Sequence, residues 1–557
     1  MWRVRFVTAT ILLFLSLIIL RLFYWQVVVS EKLIVAAEQQ HFLTTEIPAL
    51  RGEFLASDGF PFVSNQPAYL VYAMLPDVDK ISLPFEKLSS LLAVTEATLS
   101  SRLSADLVWV PLKRKVEDEV KKQIETMDIS GIGFERDDRR FYPEGSMAAH
   151  LFGFVGSDIN GKDTGYFGLE GYYDGYIKGI PGKVRQEKDA LGRPILVGEY
   201  RPEEAQDGSS LLLTLDRTVQ FLVEKKLREG IEKYRAKAGS VIVMNPTTGA
   251  ILAMASVPSY EPNRWDEYPK DLYKNPIVAN SYEPGSTFKV LIMAAALNEK
   301  KVEPETRCDI CTGPVQVSGY QIRTWNNKYF PNSTMTEVLQ HSDNVGMVFV
   351  GQKIGEKKLH SYLKNFGIGE KTGIDLEEET TPTLRSWEEW KEIDLATTSF
   401  GQGVAVTPIQ MIRAVSAIGN DGKLMKPYLV KKIISKSDEV TIESKVVRQV
   451  VKPETAKILT EMMINAVDNG EARFAKPKGY RIAGKTGTAQ IPLGGTYQDD
   501  KTIASFVGFA PADHPKFSML VVLTEPSSSP WGSETAAPLF FSIAKELFQY
   551  YTIAPTL

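Results

Sequence analysis

Apolar and polar positions divide this chain unevenly. Residues 6–20 form an almost unbroken apolar run that continues over 22–29 past Arg21. The stretch is long enough to cross a hydrocarbon core of ~30 Å as one helix. From 47 to about 213 the pattern is mixed. Strand-like runs at 69–72 and 107–110 alternate with charged, helix-like runs such as 113–124. Residues 31–44 predict a short amphipathic or extended stalk, and Gly-rich 161–182 predicts turns. The polar, acidic segment 200–210 predicts a linker. After it, 211–215 reads as a strand, and Asp216 caps a helix running to about Tyr234.

The second half carries stronger signals. Apolar runs at 240–244 and 250–255 flank the turn residues 245–249, which predicts a hairpin. A helix should begin near Ser286, and helix-like runs follow at 335–340 and 345–354. Strand-like runs at 505–510 and 517–523 precede a final helix over 536–550. Hairpins flanked by long helices predict an α+β domain with an antiparallel sheet.

The chain has 557 residues, 43% of them hydrophobic and 24% charged, enough for two to four domains with packed cores. Its net charge of −4 argues against a nucleic-acid binder. Two cysteines and five scattered histidines make a structural metal site unexpected. Arg3 and Arg5 precede the apolar run, so the N-terminus should stay in the cytoplasm and the bulk lie outside the membrane. The segment 35–37 is a poor cleavage site, far from the apolar core, so an anchor is expected rather than a removed signal. Arg21 costs roughly 2.5–3.5 kcal/mol at mid-membrane, so it should snorkel or face a partner helix. Tyr24 and Trp25 fit an interfacial belt.

Three short motifs suggest one chemistry. Ser286-Thr287-Phe288-Lys289 follows the chain break Pro284-Gly285, placing Ser286 near a helix N-terminus with Lys289 on the same face. A serine needs a base to become a nucleophile, and a desolvated lysine can serve. Ser342-Asp343-Asn344 lies between two helix-like runs; its hydroxyl can relay a proton and its amide can hold a lysine and a substrate carbonyl. Lys485-Thr486-Gly487-Thr488 supplies a cation and hydroxyls for an anionic substrate terminus, while Gly484 and Gly487 leave room beside an edge strand. Residues 479–486 also match the pattern of a phosphate-binding loop, but no helical pattern follows them. Lys371-Thr372-Gly373 leads into acidic 375–379 and reads as a loop. Cys308 and Cys311 fit either a local disulfide or two free thiols in a hairpin. His341 and His150 read as surface and packing residues.

In this order, beyond a membrane anchor, the motifs resemble the class B penicillin-binding proteins, the monofunctional transpeptidases of peptidoglycan synthesis. The likeness spans nearly the whole chain. It includes Arg51-Gly52, Arg140-Phe141-Tyr142-Pro143, His150-Leu151-Phe152-Gly153, Gly168-Leu169-Glu170-Gly171, Leu213-Thr214-Leu215-Asp216, Tyr282-Glu283-Pro284-Gly285, Ser399 to Gly403 and Phe506 to Phe509. Residues 172–195 and 482–490 look most like the septal branch, with the elongation branch as runner-up.

The resemblance implies an anchor over 1–30, a pedestal over 31–215 and a transpeptidase domain over 216–557, with no stretch for a glycosyltransferase. It implies that Ser286 attacks the penultimate D-Ala carbonyl of a stem peptide with Lys289 as base. Ser342 and Asn344 would then pass protons and orient substrate. Lys485, Thr486, Gly487 and Thr488 would bind the substrate carboxylate. The backbone N–H groups of Ser286 and Thr488 would form the oxyanion hole, and no cofactor or metal is needed. β-Lactams should acylate Ser286. The pedestal should dock a polytopic glycosyltransferase and division regulators. Rival readings are a D,D-carboxypeptidase or β-lactamase that uses water as acceptor, and a tethered scaffold or β-lactam sensor. The anchor and large pedestal speak against a free hydrolase, and the full set of motifs against an inert scaffold.

Overall fold

The apolar N-terminal run is helical, as its pattern predicts. In a computed structural model that describes residues 1–79, 83–188, 195, 200–493 and 496–556, the helix Trp2–Phe23 continues through a π-turn, Tyr24–Val28. This 27-residue span is long and apolar enough to cross a membrane, and none of it is buried in protein. Arg21 directs its guanidinium over the rings of Tyr24 and Trp25, at 5.9 and 5.3 Å, a cation–π arrangement at the end of the apolar run.

The chain forms two compact units, each built from separate stretches of sequence. The smaller comprises Met1–Arg51, Pro67–Asp137 and Lys178–Gly208. Here the sequence expectations need three corrections. Residues 113–117 belong to the strand Trp109–Glu117, and helix begins only at Asp118. Val110, Leu112 and Val116 are buried with intervening residues outward, a two-residue period that overrides the charged composition. Residues 200–203 are no free linker, because Tyr200–Glu203 pairs with Gly182–Glu187, which pairs with Phe42–Ile47. A ladder needs only backbone groups, so a polar segment can join it. The stalk is both helix, Ser30–His41, and strand, Phe42–Ile47.

The larger unit comprises Gly52–Gln66, Asp138–Ile177 and Ser209–Leu557. Within the Gly-rich stretch, two short helices, Gly168–Tyr172 and Asp174–Ile177, replace the expected run of turns. Gly168 takes φ +50°, and a Cβ there would lie 2.4 Å from the Leu151 carbonyl oxygen, so glycine permits the close approach.

The elements that position the site run as follows. Helix α1 (Arg217–Tyr234) is capped by Asp216 and leads to strands β1 (Ala238–Met244) and β2 (Ile251–Val257). Helices α2 (Lys289–Asn298), α3 (Met335–Gln340), α4 (Asn344–Ile354), α5 (Pro408–Ile418) and α6 (Pro453–Asp468) follow. Strands β3 (Ala483–Leu493), β4 (Thr496–Ala510) and β5 (Phe517–Thr524) precede the last helix, α7 (Ala536–Tyr550). The five strands form one antiparallel sheet in the order β2-β1-β5-β4-β3, so β3 is an edge. Alternate residues of β1 and β5 face opposite ways. Val241, Val243, Met519 and Val521 pack with α1 and α7; Ile242, Met244, Leu520 and Val522 join the core that contains α5. Apolar residues on both faces make a sheet covered on both sides, and the α+β expectation is borne out.

Candidate active site

The chain reverses at Pro284-Gly285, then makes a 3₁₀ turn, Gly285–Phe288, before α2. Gly285 has φ +54°, and a Cβ there would lie 2.8 Å from the Thr488 carbonyl oxygen. Glycine therefore lets the turn bearing Ser286 press against β3. Gly487 has a similar use. Its missing Cβ would meet Ser505 Oγ at 2.5 Å and Thr287 Cγ2 at 2.8 Å. The space at Gly484 is taken by the Phe506 ring.

Lys289, the first residue of α2, is fully buried. Its Nζ donates to Ser342 O at 2.6 Å and to Asn344 Oδ1 at 2.7 Å, and lies 3.3 Å from Ser342 Oγ. Each residue of the Ser342 motif has a separate task. Ser342 turns the chain after α3 with φ +55°. Asp343 caps α4, its Oδ1 accepting from the amides of Val345 and Gly346 at 2.8 and 3.1 Å. Asn344 accepts from Lys289 and donates through Nδ2 to Arg323 O at 3.0 Å. From β3, Lys485 Nζ donates to Ser342 Oγ at 3.0 Å and lies 3.3 Å from both Thr486 O and Thr486 Oγ1. Thr488 Oγ1 accepts from the Gly532 amide at 2.9 Å.

The fold thus brings together side chains almost two hundred positions apart. Ser286, Ser342, Asn344, Thr486 and Thr488 line one cleft, with the two lysine amines meeting at Ser342. Burial, helped by the charge of Lys485, holds the Lys289 amine well below the usual lysine range. Burial also brings Lys485 down to about 8, opposed by the Glu471 carboxylate.

Glu471, Trp325 and Trp531 also line this cleft, and the sequence reading missed all three. They come from irregular segments outside the motifs, so no periodicity marks them. The misleading matches resolve simply. Lys485-Thr486 lies on an edge strand rather than a helix N-terminus. Residues 371–373 form an irregular segment in which Thr372 is held by Glu379. His341 follows α3 and stacks on Phe330 at 4.0 Å. His150 is buried edge-on to Tyr260 at 5.5 Å, inside the larger unit. Cys308 and Cys311 are joined as a disulfide.

Residues 239–548 match the family described as the penicillin-binding protein transpeptidase domain, and 46–213 match the penicillin-binding protein dimerisation domain. The chain belongs to the class B penicillin-binding proteins. Stage V sporulation protein D of Bacillus subtilis is 35% identical over 546 residues, covering 96% of this chain and 83% of that protein. Peptidoglycan D,D-transpeptidase FtsI of Escherichia coli is 29% identical, covering 100% and 92%. Among solved structures, a peptidoglycan synthetase from Bifidobacterium adolescentis superposes with a TM-score of 0.75 at 25% identity, covering 93% of this chain and 98% of that one. Penicillin-binding protein 3 of Mycobacterium tuberculosis, complexed with aztreonam, gives 0.72 at 25% identity, covering 92% and 98%.

Proposed function

We propose that this chain is a membrane-anchored peptidoglycan D,D-transpeptidase that cross-links stem peptides at the division septum. The observation that carries this reading is the meeting of Lys289 and Lys485 on Ser342, in the cleft that Ser286 lines. A neutral amine has two N–H groups and one lone pair. Lys289 already has two close acceptors, Ser342 O and Asn344 Oδ1. Its lone pair is therefore left to take the Ser286 proton. Ser286 Oγ then bonds to the carbonyl carbon of the penultimate D-Ala. The tetrahedral intermediate expels the terminal D-Ala, whose nitrogen receives the proton through Lys289 and Ser342. An amine from a second stem peptide attacks the ester, forms the amide and returns a proton to Ser286. A β-lactam leaves Ser286 acylated because its leaving group stays tethered.

Lys485, Thr486 and Thr488 hold the donor's terminal carboxylate. The N–H groups of Ser286 and Thr488 face the developing oxyanion; the tight packing of Gly285 on Thr488 supports this assignment. Losing one such donor costs ~10²–10³ in rate. The N-terminus lies in the cytoplasm and the catalytic unit outside, a reading supported by Arg3 and Arg5 ahead of the apolar run. The pedestal docks a polytopic glycosyltransferase and division regulators. The septal role is supported by the FtsI relative. A second reading, use of the same reaction during sporulation, is favoured by 35% identity to stage V sporulation protein D.

A fluorescent penicillin should label the wild-type chain covalently and fail to label Ser286→Ala. Labelling of the alanine variant would refute the assignment. A tagged copy gathering at midcell in vegetative cells supports the septal role, and one confined to sporulating cells supports the second reading.

A further inference from the structure

The mechanism above uses the cations of the cleft and leaves its carboxylate without a task. Glu471 lines the same cleft as Ser286 and is accessible to solvent. Its carboxylate lies beside the side chain of Trp325. Trp325 packs edge-on against Trp531, with ring centroids 4.7 Å apart, and both indoles line the cleft. Glu471 acts on Lys289 and Lys485 through space, and no ion pair joins it to a cation among the described residues. An exposed carboxylate beside two indole rings is the chemistry that recognises an alkylammonium: charge attracts it, and the ring faces stabilise it.

We propose that Glu471, Trp325 and Trp531 form the acceptor subsite, which draws in the amine of the incoming stem peptide as its ammonium; one proton passes from it to bulk water before the neutral amine attacks the acyl ester and returns its second proton to Ser286 Oγ. The inference rests on the transpeptidase reading and deepens it by naming what recognises the second substrate. The donor presents a carboxylate to Lys485, and the acceptor presents a cation to Glu471. The two peptides are thus sorted by charge within one cleft. The indoles also cover the acyl ester with apolar surface, which favours an organic amine over water.

The full chain in detergent micelles tests this. A peptide ending in D-Ala-D-Ala serves as donor. Two acceptors compete for the acyl group: a peptide carrying a side-chain ammonium, and hydroxylamine, which is uncharged at neutral pH. The readout is the ratio of amide to hydroxamate product, which does not depend on how much enzyme is folded. In Glu471→Gln this ratio should fall about tenfold, the loss of one favourable charged contact. Glu471→Asp, which keeps the charge, should fall less. Trp531→Leu should also lower the ratio. A Glu471→Gln ratio within about twofold of wild type overturns the proposal, as does an equal fall in Glu471→Gln and Glu471→Asp. If the wild type forms no acyl-enzyme from the donor, the transpeptidase reading itself has failed.

Discussion

Lys289 and Lys485 meet on a single atom: their amines lie 3.3 and 3.0 Å from the Ser342 hydroxyl oxygen. Two ammonium groups buried this close repel each other, so one proton leaves readily. Lys289 loses it, because burial and the neighbouring charge both act against its charged form. Lys485 keeps its proton up to about pH 8.

On the proposed mechanism, with Lys289 as base and Lys485 as carboxylate-binding cation, this arrangement sets the pH profile of acylation. A base works deprotonated, so the rate rises with pH through the depressed Lys289 titration. A carboxylate-binding cation works protonated, so the rate falls as Lys485 titrates near 8. The second-order rate of labelling by a fluorescent penicillin should therefore trace a bell. Its rising limb should lie well below the ordinary lysine range. Lys485→Arg should move the falling limb upward, because guanidinium keeps its charge. A rising limb at about pH 10 would show that Lys289 is not perturbed.

Asn344 ties Lys289 to the cleft wall, accepting from its amine and donating to Arg323 O. Asn344→Asp keeps the shape but puts a negative charge 2.7 Å from the Lys289 amine. That charge stabilises the ammonium, and the variant loses its donor to Arg323. Labelling at neutral pH should drop by about 10² or more. The sign of the pH shift is diagnostic: the rising limb moves to higher pH, so part of the loss is recovered there. A loss uniform across the profile would mean the asparagine acts only by position.

Ser342 combines two demands on one residue. Its backbone has φ +55°, and its hydroxyl touches both lysines. The left-handed conformation costs a residue with a Cβ roughly 1–2 kcal/mol, and glycine escapes that cost. Ser342→Gly and Ser342→Ala should therefore lose acylation alike, since both delete the hydroxyl. In denaturant unfolding the glycine variant should be the more stable by about 1 kcal/mol. Equal stabilities would mean the turn relaxes when the hydroxyl is gone.

The transpeptidase elements were legible because local signals agree there. Asp216 caps α1 where the sequence places it, and the apolar runs that predict α4, β5 and α7 are those that become them. The three motifs carry the lysines, the hydroxyls and the asparagine in short contiguous stretches that can be read without their geometry. Legibility failed where partners are distant. Phe54-Leu55 pairs in parallel with Leu211-Leu212, across more than 150 positions, and two-residue strands carry no period. Residues 113–117 hid a strand under charge, because an edge strand carries charged side chains, lysine above all, on its exposed face. Trp325 and Glu471 escaped notice because a cleft wall is assembled from loops, where spacing carries no meaning.

The acidic segment after Lys371-Thr372-Gly373 shows how composition can mislead about burial, and it offers a test away from the cleft. Its charge suggests a solvated loop, yet Asp375 is only 6% exposed. Its Oδ1 accepts from the Leu429 amide at 2.7 Å. Its Oδ2 accepts from the Val430 amide at 2.8 Å and from the Tyr173 hydroxyl at 3.1 Å. One carboxylate thus clasps three parts of the larger unit, and its removal strands two buried amides and a phenol. At about 1–3 kcal/mol for each unsatisfied group, partly relieved by entering water, Asp375→Ala should lose about 3–5 kcal/mol in urea unfolding. Lys371→Ala, on the exposed end of the same segment, should stay within about 0.5 kcal/mol. Because none of these three hydrogen-bond partners lines the cleft, the folded fraction of Asp375→Ala should still label with penicillin at full stoichiometry. A variant that kept its stability would show that water replaces the carboxylate as acceptor.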